Sequence, residues 1–145
     1  MRFDRLAFAA LASGAVLTMA AAFPAAAQEK KLSIELNNAS DTNGGCRLTY
    51  VAMNGTGAVL DKTSYEIVVF DAEQRVSQLL ILEFGKLPAG KTKVVSFDLA
   101  NHGCDKISRI LINSASECVD AEGKAVPVCL EELQTSTRTK ISFGQ

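Results

Sequence analysis

Four cysteines and a single histidine are the side chains in this 145-residue sequence with the clearest capacity for chemistry. His102 lies two residues before Cys104, and with the soft sulfur of Met53 it would offer ligand types that copper or zinc accepts. A cysteine in a disulfide is not a thiolate, however, and one histidine does not complete a closed metal site. We therefore interpret His102 as a turn residue and expect no metal and no cofactor.

The remaining polar residues do not form a recognisable catalytic motif. Thiol–disulfide exchange typically uses Cys-x-x-Cys at the start of a helix, whereas ten residues separate Cys118 from Cys129. No particular serine is paired with the histidine, and the acidic residues near Cys118 fall in a predicted loop. Carboxylates there are normally solvated rather than poised for acid–base catalysis. The sequence predicts a protein that is not an enzyme, with a small hydrolase or an inhibitor as alternatives.

Chain geometry predicts two disulfides, Cys46–Cys104 and Cys118–Cys129. Cys104 and Cys118 flank a predicted strand whose seven residues, 107–113, span about 23 Å, whereas bridged Cα atoms lie within about 7 Å. If successive strands alternate in direction, the second and the sixth begin at the same end of the fold, where Cys46 and Cys104 can meet. Cys118 follows the sixth strand at the opposite end, and Cys129 is near it in sequence.

Residues 1–27 have the pattern of a secretory signal peptide. Arg2 and Arg5 precede an apolar run, and the small residues Ala25 to Ala27 precede Gln28. An uncleaved membrane anchor is the alternative. An even number of cysteines in an exported chain fits the oxidising environment outside the cytoplasm, and the Ala-rich leader is typical of bacteria. We expect residues 28–145 to form one domain in the periplasm, or in the medium if the protein is secreted.

Charge and hydropathy argue against two classes of partner. The chain has 15 basic and 16 acidic side chains and a formal net charge of −1, whereas binding to nucleic acid or to an anionic membrane usually needs clustered Lys and Arg. After the leader, no segment is long and apolar enough to cross a bilayer. The sequence therefore predicts no nucleic acid and no membrane span after signal cleavage. The expected partner is another protein.

Apolar runs separated by turn residues predict seven strands, some alternating with period two and some rich in β-branched residues. Ala115–Ser136 is predicted to be a long connection with a helical turn at Leu130–Leu133. Seven short strands in one domain are typical of an immunoglobulin-like antiparallel sandwich, so the predicted fold is all-β with two disulfides. The predicted strands are Lys31–Asn37, Cys46–Met53, Ser64–Phe70, Val76–Phe84, Lys91–Leu99, Ile107–Asn113 and Thr137–Phe143.

The segment from Leu48 to Leu99, about which the rest of the chain is organised, contains four short motifs of turns and strands. They are Asn54-Gly55-Thr56-Gly57, Val69-Phe70-Asp71, Leu87-Pro88-Ala89-Gly90-Lys91 and Val95-Ser96-Phe97. In these motifs the segment resembles the FxLYD family of bacterial extracytoplasmic immunoglobulin-like domains. There a strand ending in a Phe-Tyr-Asp-like corner is followed by a Pro-Gly turn and an alternating strand. The resemblance implies a sandwich and no activity.

The loop Glu117–Leu130 is the predicted functional site, because the Cys118–Cys129 disulfide would close it and hold it in a rigid conformation on the surface. Strand parity places it at the same end as Asn54–Lys62 and Gly85–Gly90. Loops held on a rigid sandwich commonly carry recognition, and preorganisation lowers the cost of binding. We expect a non-enzymatic periplasmic or secreted binding module, with a loop that has no partner as the alternative. The candidate binding residues are Asp120, Glu122, Lys124, Val126 and Pro127.

A structural role in the cell envelope is the second hypothesis. Exposed strand edges pair with other chains through main-chain hydrogen bonds, and the first predicted strand, Lys31–Asn37, is a candidate edge. In that hypothesis the partner contacts the edge and not the loops.

Overall fold

Residues 31–145 are described by a computed structural model of the protein. The predicted signal peptide, residues 1–27, lies outside the described residues. The described chain forms eight strands, a 3₁₀ turn at Cys104–Lys106 and one short helix. Their bounds are β1 Leu32–Thr42, β2 Gly45–Asn54, β3 Leu60–Asp71, β4 Val76–Glu83, β5 Thr92–Ala100, β6 Ile107–Asp120, α1 Val128–Glu131, β7 Leu133–Thr137 and β8 Ser142–Gly144.

The strands form two four-stranded sheets, with the orders β5-β2-β1-β7 and β4-β3-β6-β8. Most neighbours are antiparallel, but β7 runs parallel to β1 and β8 runs parallel to β6. The predicted all-β fold with two disulfides is confirmed as a sandwich-like structure. The prediction of seven strands in a wholly antiparallel arrangement is wrong for the described residues, which form eight strands in two mixed sheets.

The C-terminal segment explains the difference in strand count. Thr137–Phe143 was predicted as one strand, but β7 ends at Thr137 and β8 begins at Ser142. Between them the hydroxyl of Thr137 accepts a hydrogen bond from the amide of Thr139 (3.1 Å), and that of Thr139 accepts one from Ile141 (3.0 Å). Such local bonds compete with the sheet ladder, so the chain leaves one sheet and joins the other.

β1 lies inside its sheet and is not an edge strand. It pairs with β2 on one side and, over Leu32–Leu36, with β7 on the other. The predicted exposed edge at Lys31–Asn37 is therefore wrong, because the last part of the chain returns to cover it. β1 is also longer than predicted, since the turn-rich run after Asn37 pairs with β2 as far as Thr42.

The predicted long connection Ala115–Ser136 is largely ordered secondary structure. β6 continues through it to Asp120 because β3 is long enough to pair with it as far as Leu60. The predicted helical turn at Leu130–Leu133 occurs two residues earlier, as α1 at Val128–Glu131. Pro127 stands just before α1, and the fixed φ of proline suits the start of a helix.

The core lies between the two sheets and centres on Tyr50 of β2. Its ring makes edge contacts with Phe84 and Phe143 on the side of the other sheet, with centroid distances of 5.7 and 5.3 Å. Phe97 of β5 completes the aromatic cluster at 6.0 Å. Edge-to-face pairs of this kind add to the stabilisation from apolar burial.

Both predicted disulfides are present. Cys46 at the start of β2 is bonded to Cys104 just before β6, with a Cα–Cα distance of 4.9 Å. Cys118, inside the far end of β6, is bonded to Cys129 of α1 at 6.0 Å. The pairing follows from strand direction, as predicted, because each bond joins residues at the same end of the fold.

Candidate functional site

Three loops lie together at one end of the sandwich, and we call residues 54–60, 85–91 and 117–132 the loop end. Leu60 joins all three. It pairs with Asp120 across β3 and β6. Its amide donates a hydrogen bond to the carbonyl of Leu87 (3.1 Å), and the amide of Leu87 donates one to the carbonyl of Leu60 (2.8 Å). The arrangement agrees with the strand-parity prediction for this end.

Asn54 holds the first two loops together. Its side chain is fully buried, and its Nδ2 donates hydrogen bonds to the carbonyls of Ala58 and Leu87, both at 2.8 Å. Its Oδ1 accepts from the amide and the hydroxyl of Thr56 at 3.1 and 2.7 Å. From the sequence alone Asn54 is only a turn residue, because its partner Leu87 lies far along the chain.

The predicted binding loop is a short β-hairpin. The Oδ1 of Asp120 accepts hydrogen bonds from the amides of Glu122 (3.0 Å) and Lys124 (2.8 Å). Val119 pairs with Ala125 on the two arms. One oxygen of the Asp120 carboxylate is therefore used to shape the turn, which leaves Glu122 as the exposed carboxylate at its tip.

The same turn occurs at the opposite end of the sandwich. Asp71-Ala72-Glu73-Gln74-Arg75 joins β3 to β4, and the Oδ1 of Asp71 accepts from Glu73 (3.0 Å) and Arg75 (2.8 Å). The fourth residue has a positive φ in both turns, 61° at Gln74 and 80° at Gly123. The repeated Asp-Ala-Glu sequence was a signal that sequence analysis missed, and it marks these segments as matching hairpin turns.

Helix α1 anchors the other end of the hairpin to the core. Cys129 is fully buried in its disulfide with Cys118, and the hydroxyl of Tyr65 donates to the carbonyl of Cys129 at 3.0 Å. Burial raises the pKa of the Tyr65 phenol, which keeps this donor protonated. The hairpin is thus fixed by a covalent bond and by a buried hydrogen bond.

A cleft of about 400 Å³ lies between the hairpin and the loop at residues 56–60. Apolar side chains line much of it, and three carboxylates stand among them. Of the predicted binding residues, Asp120, Glu122 and Val126 line the cleft, whereas Lys124 and Pro127 lie outside its lining. The lining residues are Thr56, Ala58, Val59, Leu60, Asp120, Ala121, Glu122, Val126, Val128 and Glu132.

A second cleft, of about 460 Å³, lies beside the loop at residues 55–58 and was not predicted. Gly55 approaches the carbonyl of Lys31 closely, with an N···O distance of 2.8 Å, so this position has no room for a larger side chain. The loop at residues 55–58 therefore has concave surface on either side. The second cleft is lined by Lys31, Ser33, Met53, Gly55, Gly57, Gly90 and Gln134.

The residues considered for metal binding are not brought together. Met53 pairs with Thr92 near one end of β2, whereas His102 follows β5 at the other end, beside the disulfide of Cys104. The Nδ1 of His102 lies 3.2 Å from the carbonyl oxygen of Ala100. Within residues 31–145 no three His, Cys, Asp or Glu side chains are placed to hold a metal ion.

Comparison with protein-family models, with curated proteins and with solved structures found no match to this chain. The resemblance to the FxLYD family stays a prediction. In the part of the chain that the structure describes, no helix is both long enough and apolar enough to cross a membrane.

Proposed function

We propose that this protein is a non-enzymatic extracytoplasmic module that binds another protein at the loop end. Two disulfides fit an oxidising compartment outside the cytoplasm. The periplasm is the proposed address, and the medium is the alternative. An immunoglobulin-like domain related to the FxLYD family is the proposed class.

The observation that carries the proposal is the preorganised cleft beside Glu122. The Cys118–Cys129 disulfide, the Asp120 turn and the buried Asn54 hold its walls in place before any partner arrives. A site fixed in advance loses little conformational entropy on binding. The rigid walls of this cleft support a role in recognition.

The chemistry of the cleft suits one kind of partner segment. Ala58, Val126 and Val128 offer apolar contact, while Glu122 and Glu132 add negative charge. A protein segment that inserts an apolar side chain next to a Lys or Arg would complement both features, because opposite charges across an interface favour the right partner.

A matched pair of substitutions tests this proposal. Glu122→Lys reverses the charge at the cleft, and Glu73→Lys makes the same change in the equivalent turn at the opposite end. With the immobilised, disulfide-intact protein, we expect Glu122→Lys to lower recovery of the bound partner from an extracytoplasmic extract about tenfold, and Glu73→Lys to leave it unchanged. Equal recovery by both variants would refute the loop end as the binding site.

The second candidate, a structural envelope protein that pairs through a strand edge, requires a different edge from the one predicted. β1 is covered, but β4 is an outer strand of its sheet and exposes large apolar side chains, Leu79 and Ile81 among them. That observation keeps edge pairing as a second candidate function.

A further inference from the structure

Two asparagines in the chain are followed by glycine, Asn43 by Gly44 and Asn54 by Gly55. Asparagine is a chemically labile residue, because the main-chain nitrogen of the next residue can attack its side-chain amide. Glycine as that next residue favours the reaction, since it has no Cβ and adopts backbone conformations that other residues avoid. The two pairs are alike in sequence, but their surroundings in the fold differ.

Asn43 and Gly44 form the tip of the hairpin between β1 and β2. Both residues are exposed, and Thr42 pairs with Gly45 on either side of them. Within the described residues, neither the Asn43 side chain nor the Gly44 amide makes a hydrogen bond. No atom within 4 Å would meet a Cβ at Gly44, whose φ is 92°. The side-chain carbon of Asn43 and the nitrogen that would attack it are therefore both unhindered.

Asn54 and Gly55 are held in place. Asn54 is fully buried, and the hydrogen bonds of its Nδ2 and Oδ1 described above fix its side chain. The amide of Gly55, which would be the attacking group in this pair, donates to the carbonyl of Lys31 at 2.8 Å. Reaction at Asn54 needs these bonds to break together, whereas an exposed hairpin tip opens at little cost in free energy.

We propose that Asn43 is a modification site at which the side-chain amide converts spontaneously to a carboxylate, and that Asn54 is protected from this reaction. The site lies near the Cys46–Cys104 disulfide, at the opposite end of the sandwich from the loop end.

The reaction needs only the chain and water. The main-chain nitrogen of Gly44 forms a bond to the side-chain carbon of Asn43, the bond from that carbon to the amide nitrogen breaks, and ammonia leaves with the proton of the Gly44 amide. Water then opens the five-membered succinimide ring at either of its carbonyls, which gives aspartate or isoaspartate. One amide and one water molecule become one carboxylate and one ammonium ion, and nothing is oxidised or reduced.

The isoaspartyl product does not fit this turn, because its main chain runs through the former side chain and gains one carbon atom. Only two residues connect the paired Thr42 and Gly45. The carbonyl of Gly44 accepts a hydrogen bond from the amide of Asn101 at 2.9 Å, and a Cβ at Gly45 would collide with the carbonyl oxygen of Leu99. A longer main chain cannot keep these contacts, so the isoaspartyl form should be less stable than the aspartyl form.

Timed incubation of the purified, disulfide-intact protein in water enriched in heavy oxygen tests the assignment. Each new carboxylate takes an oxygen atom from the water, so peptide mapping by mass spectrometry follows the conversion at every asparagine. We expect conversion at Asn43 to be at least about tenfold faster than at Asn54. Asn101 is also exposed but is followed by His102, and as the control for exposure alone it should convert more slowly than Asn43.

The reduced chain unfolded in guanidinium is the control for sequence. There Asn43 and Asn54 should convert at similar rates, because the fold alone separates them. Equal rates at the two sites in the folded protein, or an undiminished difference in guanidinium, would overturn the proposal.

Thermal unfolding tests the effect on the hairpin. The isoaspartyl form, separated by chromatography, should have a Tm at least about 3 °C below that of Asn43→Asp, which has a main chain of normal length. Equal Tm values would overturn the proposed effect of the isoaspartyl product.

Discussion

The hydroxyl of Tyr65 donates a hydrogen bond of 3.0 Å to the carbonyl of Cys129. This contact joins the middle of β3 to the disulfide that holds the hairpin of the loop end. The other tyrosine, Tyr50, provides an internal comparison, since its hydroxyl is also buried but has no hydrogen-bond partner among the described residues.

The two tyrosines should therefore respond differently to removal of the hydroxyl. Tyr65→Phe leaves a buried carbonyl without its donor, and we expect it to lower the free energy of unfolding by about 1 to 2 kcal/mol. Tyr50→Phe removes an unsatisfied polar atom and should change stability by less than about 0.5 kcal/mol. Urea denaturation of both variants measures the difference, and equal losses would contradict the assigned hydrogen bond.

Reciprocal substitutions in the two matching hairpin turns should have opposite effects on the stability of the fold. Gln74 has a φ of 61°, which is unfavourable for a residue with a Cβ, so Gln74→Gly should stabilise the fold by about 0.5 kcal/mol. Gly123→Gln should destabilise it by about 1 kcal/mol. No atom within 4 Å would meet a Cβ at Gly123, so this loss reports backbone strain rather than crowding. Thermal unfolding checks both signs, and a stabilising Gly123→Gln would rule the interpretation out.

The two disulfides should differ in their contribution to stability. Replacing Cys46 and Cys104 together by Ala opens a loop with a sequence separation of 58, and we expect a loss of about 4 kcal/mol. Replacing Cys118 and Cys129 opens a separation of 11 and should cost about 3 kcal/mol. Guanidinium denaturation of each double variant tests the order, which is wrong if the shorter loop gives the larger loss.

Acid should weaken the fold in part through Asp71. The main-chain amide of Arg75, with further help from its charge and from the amide of Glu73, lowers the pKa of the Asp71 carboxyl. A carboxyl whose pKa is lower in the folded chain stabilises the fold above its unfolded pKa of about 3.9. That contribution is lost as the pH falls through the lowered value.

The variant Asp71→Asn isolates this contribution. Its stability should fall less steeply than that of the parent protein as the pH is lowered below about 4, because the substituted side chain does not titrate. Urea denaturation over a series of acidic pH values gives both profiles. Parallel profiles would show that Asp71 is not responsible.

A feature of the fold could be predicted when a local sequence pattern determined it. It could not be predicted when pairing with a distant segment determined it. The pairing of the cysteines followed from strand length and strand direction. Both can be inferred from the sequence because Cys104 and Cys118 flank the sixth predicted strand. The break between β7 and β8 did not, because Thr139 and Ile141 alternate in the same way in a strand and in a hydroxyl-stabilised turn.

The candidate site shows the same division. The gathering of the three loops follows from strand parity alone. The role of Asn54 depends on Leu87, 33 residues further along the chain, and an Asn-Gly pair by itself indicates only a turn. The interior position of β1 likewise depends on β7, which no pattern within β1 reveals.

Site-specific photocrosslinking at the loop end tests the central claim most directly. A photoreactive phenylalanine derivative is placed at Glu122 or, as the matched control, at Glu73, and the producing cells are irradiated. If the loop end binds a protein partner, position 122 gives one defined protein adduct and position 73 gives none. No adduct from position 122, or the same adducts from both positions, would contradict it.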